Sequence, residues 1–301
     1  MLIVSDEVRD AVEAGRPVVA LESTIIAHGL PRPRNLRVAH ELEQAVRDEG
    51  AVPATITVLD GRPHVGLDER QLERVASEDG FRKLGTRDLP PAVATGASGA
   101  TTVSATALLA SRAGLRVFAT GGLGGVHRGW TQTQDESADL GLLARTRITV
   151  VCAGVKSILD VPATLQRLET LGVTVAGYRT GRFPGFYLAD SGEPVDWTLH
   201  TPGEVAAVMR AQDGPAGGDT ALIVANPVPE AEQLDPALHA RVLESGLREC
   251  ERRGVGGQAV TPFLLDYLAR QTKGASLEAN LAAVRGNVRL AGRIAAAWAA
   301  A

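Results

Sequence analysis

The sequence predicts an α/β protein of three layers (α/β/α), in which helices cover both faces of a mostly parallel sheet. Short runs rich in Val and Ile alternate with helix-like stretches along the whole 301-residue chain. These runs are almost continuously apolar, which is typical of strands that are buried on both faces. No internal repeat or shift in composition divides the chain, so we expect one domain over residues 1–301.

Six strands and six helices can be predicted in chain order. The strand candidates are "PVVALESTII", "ATITVLDG", "LRVFATGG", "ITVVCAG", "VTVAGYRT" and "ALIVANPV". The helix candidates are "RNLRVAHELEQAVRDEG", "ATTVSATALLASRAG", "VPATLQRLETLG", "TPGEVAAVMRAQ", "PALHARVLESGLRECERRG" and "LEANLAAVRGNVRLAGRIAAAWA". In "ITVLDGRPHVGL", Asp-Gly separates two strand-like runs and predicts a small hairpin at the sheet edge.

Charge and apolar content exclude several classes of protein. The net charge of -4 gives no general attraction to nucleic acid or to an anionic membrane. No apolar run approaches the ~20 residues of a membrane span, and the start of the chain becomes charged too early for a signal peptide. The two cysteines, Cys152 and Cys250, do not make a disulfide framework. We therefore expect a cytoplasmic globular protein with reduced thiols.

Five of the predicted strands end in polar or glycine-rich residues. These strand ends are Glu22 to Thr24, Gly121 to His127, Lys156, Tyr178 with Arg179, and Asn226. In parallel sheets, ligands gather at the carboxyl ends of the strands. The pattern therefore predicts a lined pocket at one edge of the sheet.

Lysine is rare in this chain, because 28 of the 31 basic residues are arginine. Unlike arginine, lysine can lose its proton and become a nucleophile. Lys156 follows a buried strand and could either form a Schiff base or serve as a point charge for phosphate. Lys83, on a predicted loop beside two arginines, suits anion binding, and Lys273 suits a solvated helix end.

Two acidic features are candidates for catalysis and metal binding. Glu22 lies in apolar sequence, where burial disfavours its charged form and suits a general acid or base; alternatively it caps a turn or pairs with an arginine of "PRPRN". Asp135 and Asp139 are four residues apart, so on a helix they would share a face and could hold Mg²⁺ or Mn²⁺. The alternative is that they only stabilise a helix N-terminus.

Two segments have the composition of ligand-binding loops. "TGASGATTVSATALLA" places hydroxyls ahead of a helix, which indicates either an anion site or a capped helix in tight packing. "ATGGLGGVHRG" does not fit the dinucleotide fingerprint. It is either a substrate loop, with His127 and Arg128 as donors, or a plain glycine loop.

Together these motifs resemble the pseudouridine-5'-phosphate glycosidase family, which includes the indigoidine-synthesis protein A type. The resemblance runs from "VALESTIIAHGLPRPRN" through "KLGTRDLP", "DESADL" and "VCAGVKSILDVPATLQRLETLGVTVAGY" to "SLEANLAAVRGN". It implies an α/β/α fold, a homotrimer and one Mn²⁺ per subunit. The implied reaction converts pseudouridine 5'-phosphate and water to uracil and D-ribose 5-phosphate.

The resemblance also implies roles for individual residues. The Schiff-base lysine falls on Lys156, the proton donor on Glu22 and the metal aspartate on Asp135. The substrate contacts fall on Lys83, Val103, Ser137, Ala138 and Asp139.

The chain departs from the family pattern at two places. It has Gly181-Arg182 before "FPGFY", where the family commonly has an acidic pair, and Gly286-Asn287 where the family pairs two asparagines. Three alternative functions stay open: a hydrolase of N-glycosidic nucleotides, a Schiff-base aldolase acting on a sugar phosphate, and a nucleotide-binding sensor without turnover.

Overall fold

The computed structural model describes residues 1–215 and 217–300, in which eleven strands form a single sheet. The strands are β1 (Ile3–Val4), β2 (Val18–Glu22), β3 (Val52–Leu59), β4 (Arg62–Val65), β5 (Arg82–Leu84), β6 (Gly99–Thr101), β7 (Val117–Ala119), β8 (Thr149–Cys152), β9 (Thr174–Tyr178), β10 (Trp197–Leu199) and β11 (Leu222–Ala225). Their order is β1-β4-β3-β2-β7-β8-β11-β9-β10, with β6 paired to β3 and β5 to β6. Only the β3–β4 and β3–β6 pairs of this sheet are antiparallel.

Twelve α-helices of the described chain surround the sheet. They are α1 (Asp6–Glu13), α2 (Arg34–Asp48), α3 (Glu69–Ser77), α4 (Leu89–Thr95), α5 (Val103–Arg112), α6 (Trp130–Thr133), α7 (Ala138–Leu143), α8 (Val161–Thr170), α9 (Pro202–Asp213), α10 (Pro236–Arg252), α11 (Val260–Gln271) and α12 (Ala275–Ala299). A π-helical turn over Ile25–Gly29 follows β2. None of the helices in the described part of the chain is both long and apolar enough to cross a bilayer.

The sheet is buried on both faces, which confirms the predicted three-layer α/β/α class. Successive residues of the central strands point to opposite faces and enter different apolar clusters. Val150 and Ile223 pack in the cluster that includes residues of α5, α7 and α8, whereas Val151 and Val224 pack with residues of α2, α9 and α12. All four of these strand residues are fully buried. The apolar burial explains why the strands lack a polar face in sequence.

The six predicted strands and six predicted helices are all confirmed. The Asp-Gly hairpin is also confirmed: Asp60 and Gly61 adopt positive φ values of 50° and 73° between β3 and β4. It is not at the outer edge, however, because the two-residue strand β1 pairs with β4 from outside. Lys83 lies in β5 rather than on the predicted loop. The single domain over residues 1–301 stays a prediction.

The parallel register brings three strand ends together at the centre of the sheet. Leu21 of β2 is paired with Ala119 of β7, and Ala119 is paired with Val151 of β8. The next residues along each strand therefore leave the sheet side by side. They lead to Glu22, to the segment Thr120–Gly122 and to the segment that carries Lys156.

We predict that Gly154→Ala disrupts this junction. Gly154 has a φ of 84°, and an added Cβ would overlap the carbonyl oxygen of Pro184. Positive φ and a backbone overlap together should lower the free energy of unfolding by about 2 kcal/mol or more. Urea unfolding measures this change.

The matched control for this prediction is Gly141→Ala. Gly141 lies within α7 and has no neighbouring atom within 4 Å of an added Cβ. Because alanine favours helix, this variant should be neutral or more stable by up to about 1 kcal/mol. Equal urea midpoints for the two variants would contradict the role assigned to Gly154.

Candidate active site

Glu22 lies at the carboxyl end of β2 and bonds to a hydroxyl group. Thr120 Oγ1 donates a hydrogen bond to Glu22 Oε1. The arginines of "PRPRN" have other partners: Arg32 pairs with Asp79 at 2.9 Å and Arg34 with Glu278 at 2.5 Å. The structure therefore does not support the alternative in which one of these arginines neutralises Glu22.

The two residues after Glu22 lock the strand end against β6. Ser23 Oγ accepts from Thr101 N at 2.9 Å and donates to Ile56 O at 2.7 Å. Thr24 Oγ1 donates to Thr101 O at 2.6 Å. Since these bonds are largely buried, they fix the direction in which the chain leaves β2 and so the position of the carboxylate.

Lys156 reaches back to the glycine-rich segment that also holds the partner of Glu22. Its Nζ donates to Gly122 O at 2.6 Å, and its backbone N–H donates to Leu123 O at 3.0 Å. The hydroxyl that bonds Glu22 belongs to Thr120, two residues before Gly122. The three-residue segment Thr120–Gly122 thus binds both the carboxylate and the amine.

Lys83 belongs to the same electrostatic cluster. The Lys83 side chain is exposed to solvent. Neighbouring protein atoms nevertheless exclude part of the water from around its ammonium group. Desolvation and then the charge of Lys156 lower the pKa of Lys83, while Asp139 and Glu22 oppose that shift. Lys83 is therefore within electrostatic reach of three other predicted site residues, Lys156, Asp139 and Glu22.

Asp139 is buried, and each of its two carboxylate oxygens accepts a hydrogen bond from a backbone N–H group. Oδ1 accepts from Ser104 N and Oδ2 from Gly124 N, each at 2.9 Å. The first bond satisfies the first turn of α5, which begins at the buried residue Val103. Asp139 thus fixes the start of α5 against the glycine-rich loop.

The hydroxyls before α5 are also used by the protein itself. Thr101 Oγ1 donates to Ile56 O at 2.7 Å and accepts from Thr106 Oγ1 at 2.9 Å. Ser104 N is bonded to Asp139, but Thr102 at the N-cap makes no side-chain capping bond, so the anion site and the capped helix both stay predictions.

The prediction that Asp135 and Asp139 share a helical face is wrong. Helix α7 begins only at Ala138, and Ser137 is its N-cap, accepting from Asp139 N at 3.2 Å. Asp135 precedes the helix and faces His127, whose Nδ1 lies 3.8 Å from Asp135 Oδ2. The serine cap places the two aspartates in different environments.

The residues around Asp135 provide a small set of metal donors. The described residues contain no group of three or more His, Cys, Asp or Glu that could hold a metal ion. Asp135 offers carboxylate oxygens and His127 an imidazole nitrogen. Such a set fits Mg²⁺ or Mn²⁺ held by one carboxylate, with water or substrate completing the coordination.

The two departures from the family pattern have local consequences. Arg182 bonds within its own loop, to Asp190 at 3.1 Å and to Gly192 O. At the other departure, Asn287 still donates to Thr120 O at 2.8 Å. Gly286 therefore leaves intact the bond from α12 to the segment Thr120–Gly122, which binds Glu22 and Lys156.

Two residues that bond to the candidate site residues or their neighbours, Thr120 and His239, were not predicted from sequence. Thr120 could have been found as the polar residue that directly follows β7. Arg128 was predicted as a substrate donor, but it donates to Ile158 O at 3.2 Å and Ser157 O at 3.4 Å. His239, on the distant helix α10, lies with Nε2 2.8 Å from Ser157 Oγ, and its sequence context gave no signal.

The small cavity beside Glu22 cannot hold a ligand of sugar size. This apolar cavity has a volume of about 20 Å³, far below the ~300 Å³ of a small ligand pocket.

Comparison with known proteins gives consistent matches over the whole chain. Residues 7–297 match the family model described as indigoidine synthase A-like protein. A Streptomyces griseus protein named pseudouridine-5'-phosphate glycosidase is 72% identical over 295 residues, which cover 98% of this chain and 91% of that protein. A Frankia alni protein of the same name is 60% identical and covers 99% of this chain and 82% of its own length.

Two solved structures share the fold. The prealnumycin C-glycosynthase in complex with ribulose 5-phosphate is 39% identical, with a TM-score of 0.92 and coverage of 100% of this chain and 97% of its own. An indigoidine synthase A-like protein from Thermotoga maritima is also 39% identical, with a TM-score of 0.88 and coverage of 98% and 96%.

We predict that His239 makes the protein less stable in mild acid. Burial, followed by the charge of Arg128, lowers the pKa of His239 from 6.5 to about 4. Between these values the unfolded chain binds the proton and the folded one does not. The free energy of unfolding should therefore fall as the pH drops from 6.5 to 4, by about 3 kcal/mol from this group.

Chemical denaturation across this pH range, compared with His239→Gln, measures the contribution. The pKa values of His28 and His64 are also lowered by burial, so the wild type alone cannot assign the effect. The glutamine variant should lose less stability on acidification than the wild type. Parallel pH profiles of the two proteins would disprove the assignment.

Proposed function

The chain belongs to the indigoidine synthase A-like family, and on that premise we propose that it is a pseudouridine-5'-phosphate glycosidase. The reaction cleaves the C–C glycosidic bond of pseudouridine 5'-phosphate with water, giving uracil and D-ribose 5-phosphate. The observation that carries the proposal is the attachment of both Glu22 and Lys156 to the segment Thr120–Gly122. A proton donor and an amine are thereby held on one rigid support.

The carbon–carbon bond explains the need for an amine. No heteroatom leaves from such a bond, so protonation of a leaving group by a carboxylic acid is insufficient. Opening of the ribose ring breaks the C1'–O4' bond, protonates the ring oxygen and leaves C1' electrophilic, so that Lys156 Nζ can attack it and form a C1'–N bond. The nitrogen lone pair then forms the C1'=N imine as the bond to uracil breaks in a retro-aldol-type step, and the uracil carbon takes up a proton.

Glu22 would supply the protons that this sequence requires. In its protonated form it donates to the ring oxygen during opening or to the uracil carbon during cleavage. Thr120 donates to its Oε1 and so orients the carboxyl group. Hydrolysis of the imine then releases ribose 5-phosphate and regenerates the amine.

Lys83 suits the phosphate group of the substrate. Its ammonium is within electrostatic reach of both Glu22 and Lys156, so a bound dianion would offset the repulsion between the two lysines. The backbone around Val103, Ser137 and Ala138 would supply the remaining contacts. Asp139 would act indirectly, by holding Gly124 and Ser104 in place.

We include Mn²⁺ and a homotrimer in the proposal. Asp135, with His127 beside it, would hold the cation. A bound divalent cation supplies positive charge that neutralises and orients the phosphorylated substrate. The trimer is tested by light scattering, which should give three times the mass of one chain.

The same chemistry can run in the direction of bond formation. The 39% identical prealnumycin C-glycosynthase carries a sugar phosphate, ribulose 5-phosphate, on the same fold. Incubation of this chain with uracil and ribose 5-phosphate should therefore return pseudouridine 5'-phosphate.

Product analysis separates this function from its rivals. We expect uracil release from pseudouridine 5'-phosphate and none from its N-linked isomer, uridine 5'-phosphate. A chelator should suppress release and added Mn²⁺ should restore it. Release from the N-linked isomer would instead indicate a nucleotide hydrolase, and cleavage of ribose 5-phosphate alone would indicate an aldolase.

We predict that Lys156→Arg abolishes turnover while the fold is kept. Arginine preserves the positive charge but cannot form the imine, so kcat should fall by about 10³-fold or more. Borohydride should trap a ribose 5-phosphate adduct on the wild type, located at Lys156 by mass spectrometry.

Lys273→Arg is the matched control for this prediction. Lys273 is exposed between α11 and α12, so its replacement should leave both turnover and trapping unchanged. A near-normal rate for Lys156→Arg would rule out the Schiff base.

A further inference from the structure

We infer that His239 is a positioning residue for Lys156, acting through the hydroxyl of Ser157. This inference rests on the proposed function, in which the Lys156 amine is the nucleophile. It concerns how the fold holds that amine in place rather than the chemical step itself.

The first observation is the buried bond between His239 and Ser157. Nε2 of His239 lies 2.8 Å from Ser157 Oγ, and both residues are only 6% exposed. Ser157 directly follows Lys156, whereas His239 lies 82 residues further along, in the first turn of α10. The bond therefore ties a separate helix to the backbone from which the amine extends.

The turn after Lys156 is held on its other side as well. Arg128 donates to Ser157 O and Ile158 O, and Leu159 N donates to Lys156 O at 2.9 Å. These bonds hold backbone carbonyls of the turn. The His239 bond adds a tie through the side chain of Ser157, the residue next to Lys156.

A second set of contacts leads from His239 to the acceptor of the amine. The His239 ring lies 6.0 Å from the Tyr187 ring, which lies 4.5 Å from the Phe186 ring. The Phe186 ring in turn fills the space where a Cβ on Gly122 would lie, with its Cδ2 2.5 Å from that position. Gly122 O accepts from Lys156 Nζ.

Both sets of contacts start at His239; one ends at the Lys156 backbone and the other at the carbonyl group that accepts from its amine. The first set runs from His239 through Ser157 to the Lys156 backbone, and the other runs through aromatic rings to the Gly122 carbonyl. Phe186 holds a positive φ of 65°, a conformation that is unfavourable for a side chain of this size. Such strain persists where the surrounding structure determines it, which is common beside reacting groups.

Loss of the His239 bond should therefore slow the reaction of the amine without weakening substrate binding. His239→Phe keeps an aromatic ring beside Tyr187 but removes the hydrogen bond, and Ser157→Ala removes the same bond from the other side. We expect each to lower kcat about 10- to 100-fold with KM changed by less than about threefold. The double variant should be no worse than the single ones, because one shared bond is lost.

Two further variants separate positioning from general destabilisation. His239→Gln can still place a hydrogen-bonding nitrogen near Ser157 and should recover part of the rate lost in His239→Phe. Ser245→Ala removes a hydroxyl of the same helix, one that lies 2.7 Å from Tyr267 Oη, and should leave kcat within about twofold.

A second readout reports on Lys156 without any substrate. Reductive methylation with formaldehyde, followed by mass spectrometry, compares labelling of Lys156 with that of the exposed Lys273. Because Nζ is held by Gly122 O, we expect slow labelling of Lys156 in the wild type. The ratio of Lys156 to Lys273 labelling should rise at least about fivefold in His239→Phe and Ser157→Ala as the amine is released.

The inference is overturned if both variants keep the wild-type labelling ratio, or if their loss of activity lies in KM alone. An equal loss of activity in Ser245→Ala would also overturn it. If borohydride traps no adduct on the wild type, the proposed Schiff base fails, yet the labelling ratio still decides the role of His239.

Discussion

The site depends on one short piece of backbone, the segment Thr120–Gly122 between β7 and the glycine-rich loop. Thr120 binds Glu22 through its hydroxyl, and Gly122 binds Lys156 through its carbonyl oxygen. This segment has no room for side chains at its last two positions. A Cβ on Gly121 would lie 2.9 Å from Asn280 Oδ1, and one on Gly122 would meet the Phe186 ring. Tight packing from both sides turns a flexible sequence into a rigid support.

Polar side chains of the surrounding helices form hydrogen bonds to the same segment or to the residues next to it. Asn287 of α12 donates to Thr120 O and accepts from Asn226 Nδ2 at 2.9 Å. Asp139 binds Gly124 N two residues beyond the segment. Since each of these groups is largely buried, its hydrogen bond is costly to leave unmade, and the segment has few alternative conformations. The segment therefore holds the Glu22 carboxylate and the Lys156 amine in fixed positions, as the proposed reaction requires.

The sequence predicted what depends on local pattern and missed what depends on distant packing. The six strands were found because each lies in an almost continuously apolar run, and the six helices because apolar residues recur at helical spacing. Strands β5 and β6, with the sequences "RKL" and "GAT", lack such a run, and so Lys83 was assigned to a loop. Glu22 and Lys156 were found from the ends of parallel strands, a rule that needs only chain order. His239 could not be found in this way, because its contact with Ser157 joins residues 82 positions apart.

The two aspartates of "DESADL" show why spacing alone cannot assign a metal site. Four residues separate Asp135 from Asp139, and a continuous helix would bring both carboxylates to one face. Ser137, itself in an extended conformation, caps α7 between them, so only Asp139 belongs to the helix. Asp139 is then buried, and a buried carboxylate needs hydrogen-bond donors, which Ser104 and Gly124 supply. Asp135 stays partly exposed beside His127 and keeps oxygens free for a ligand. One serine thus divides an acidic pair into a structural carboxylate and a candidate metal ligand.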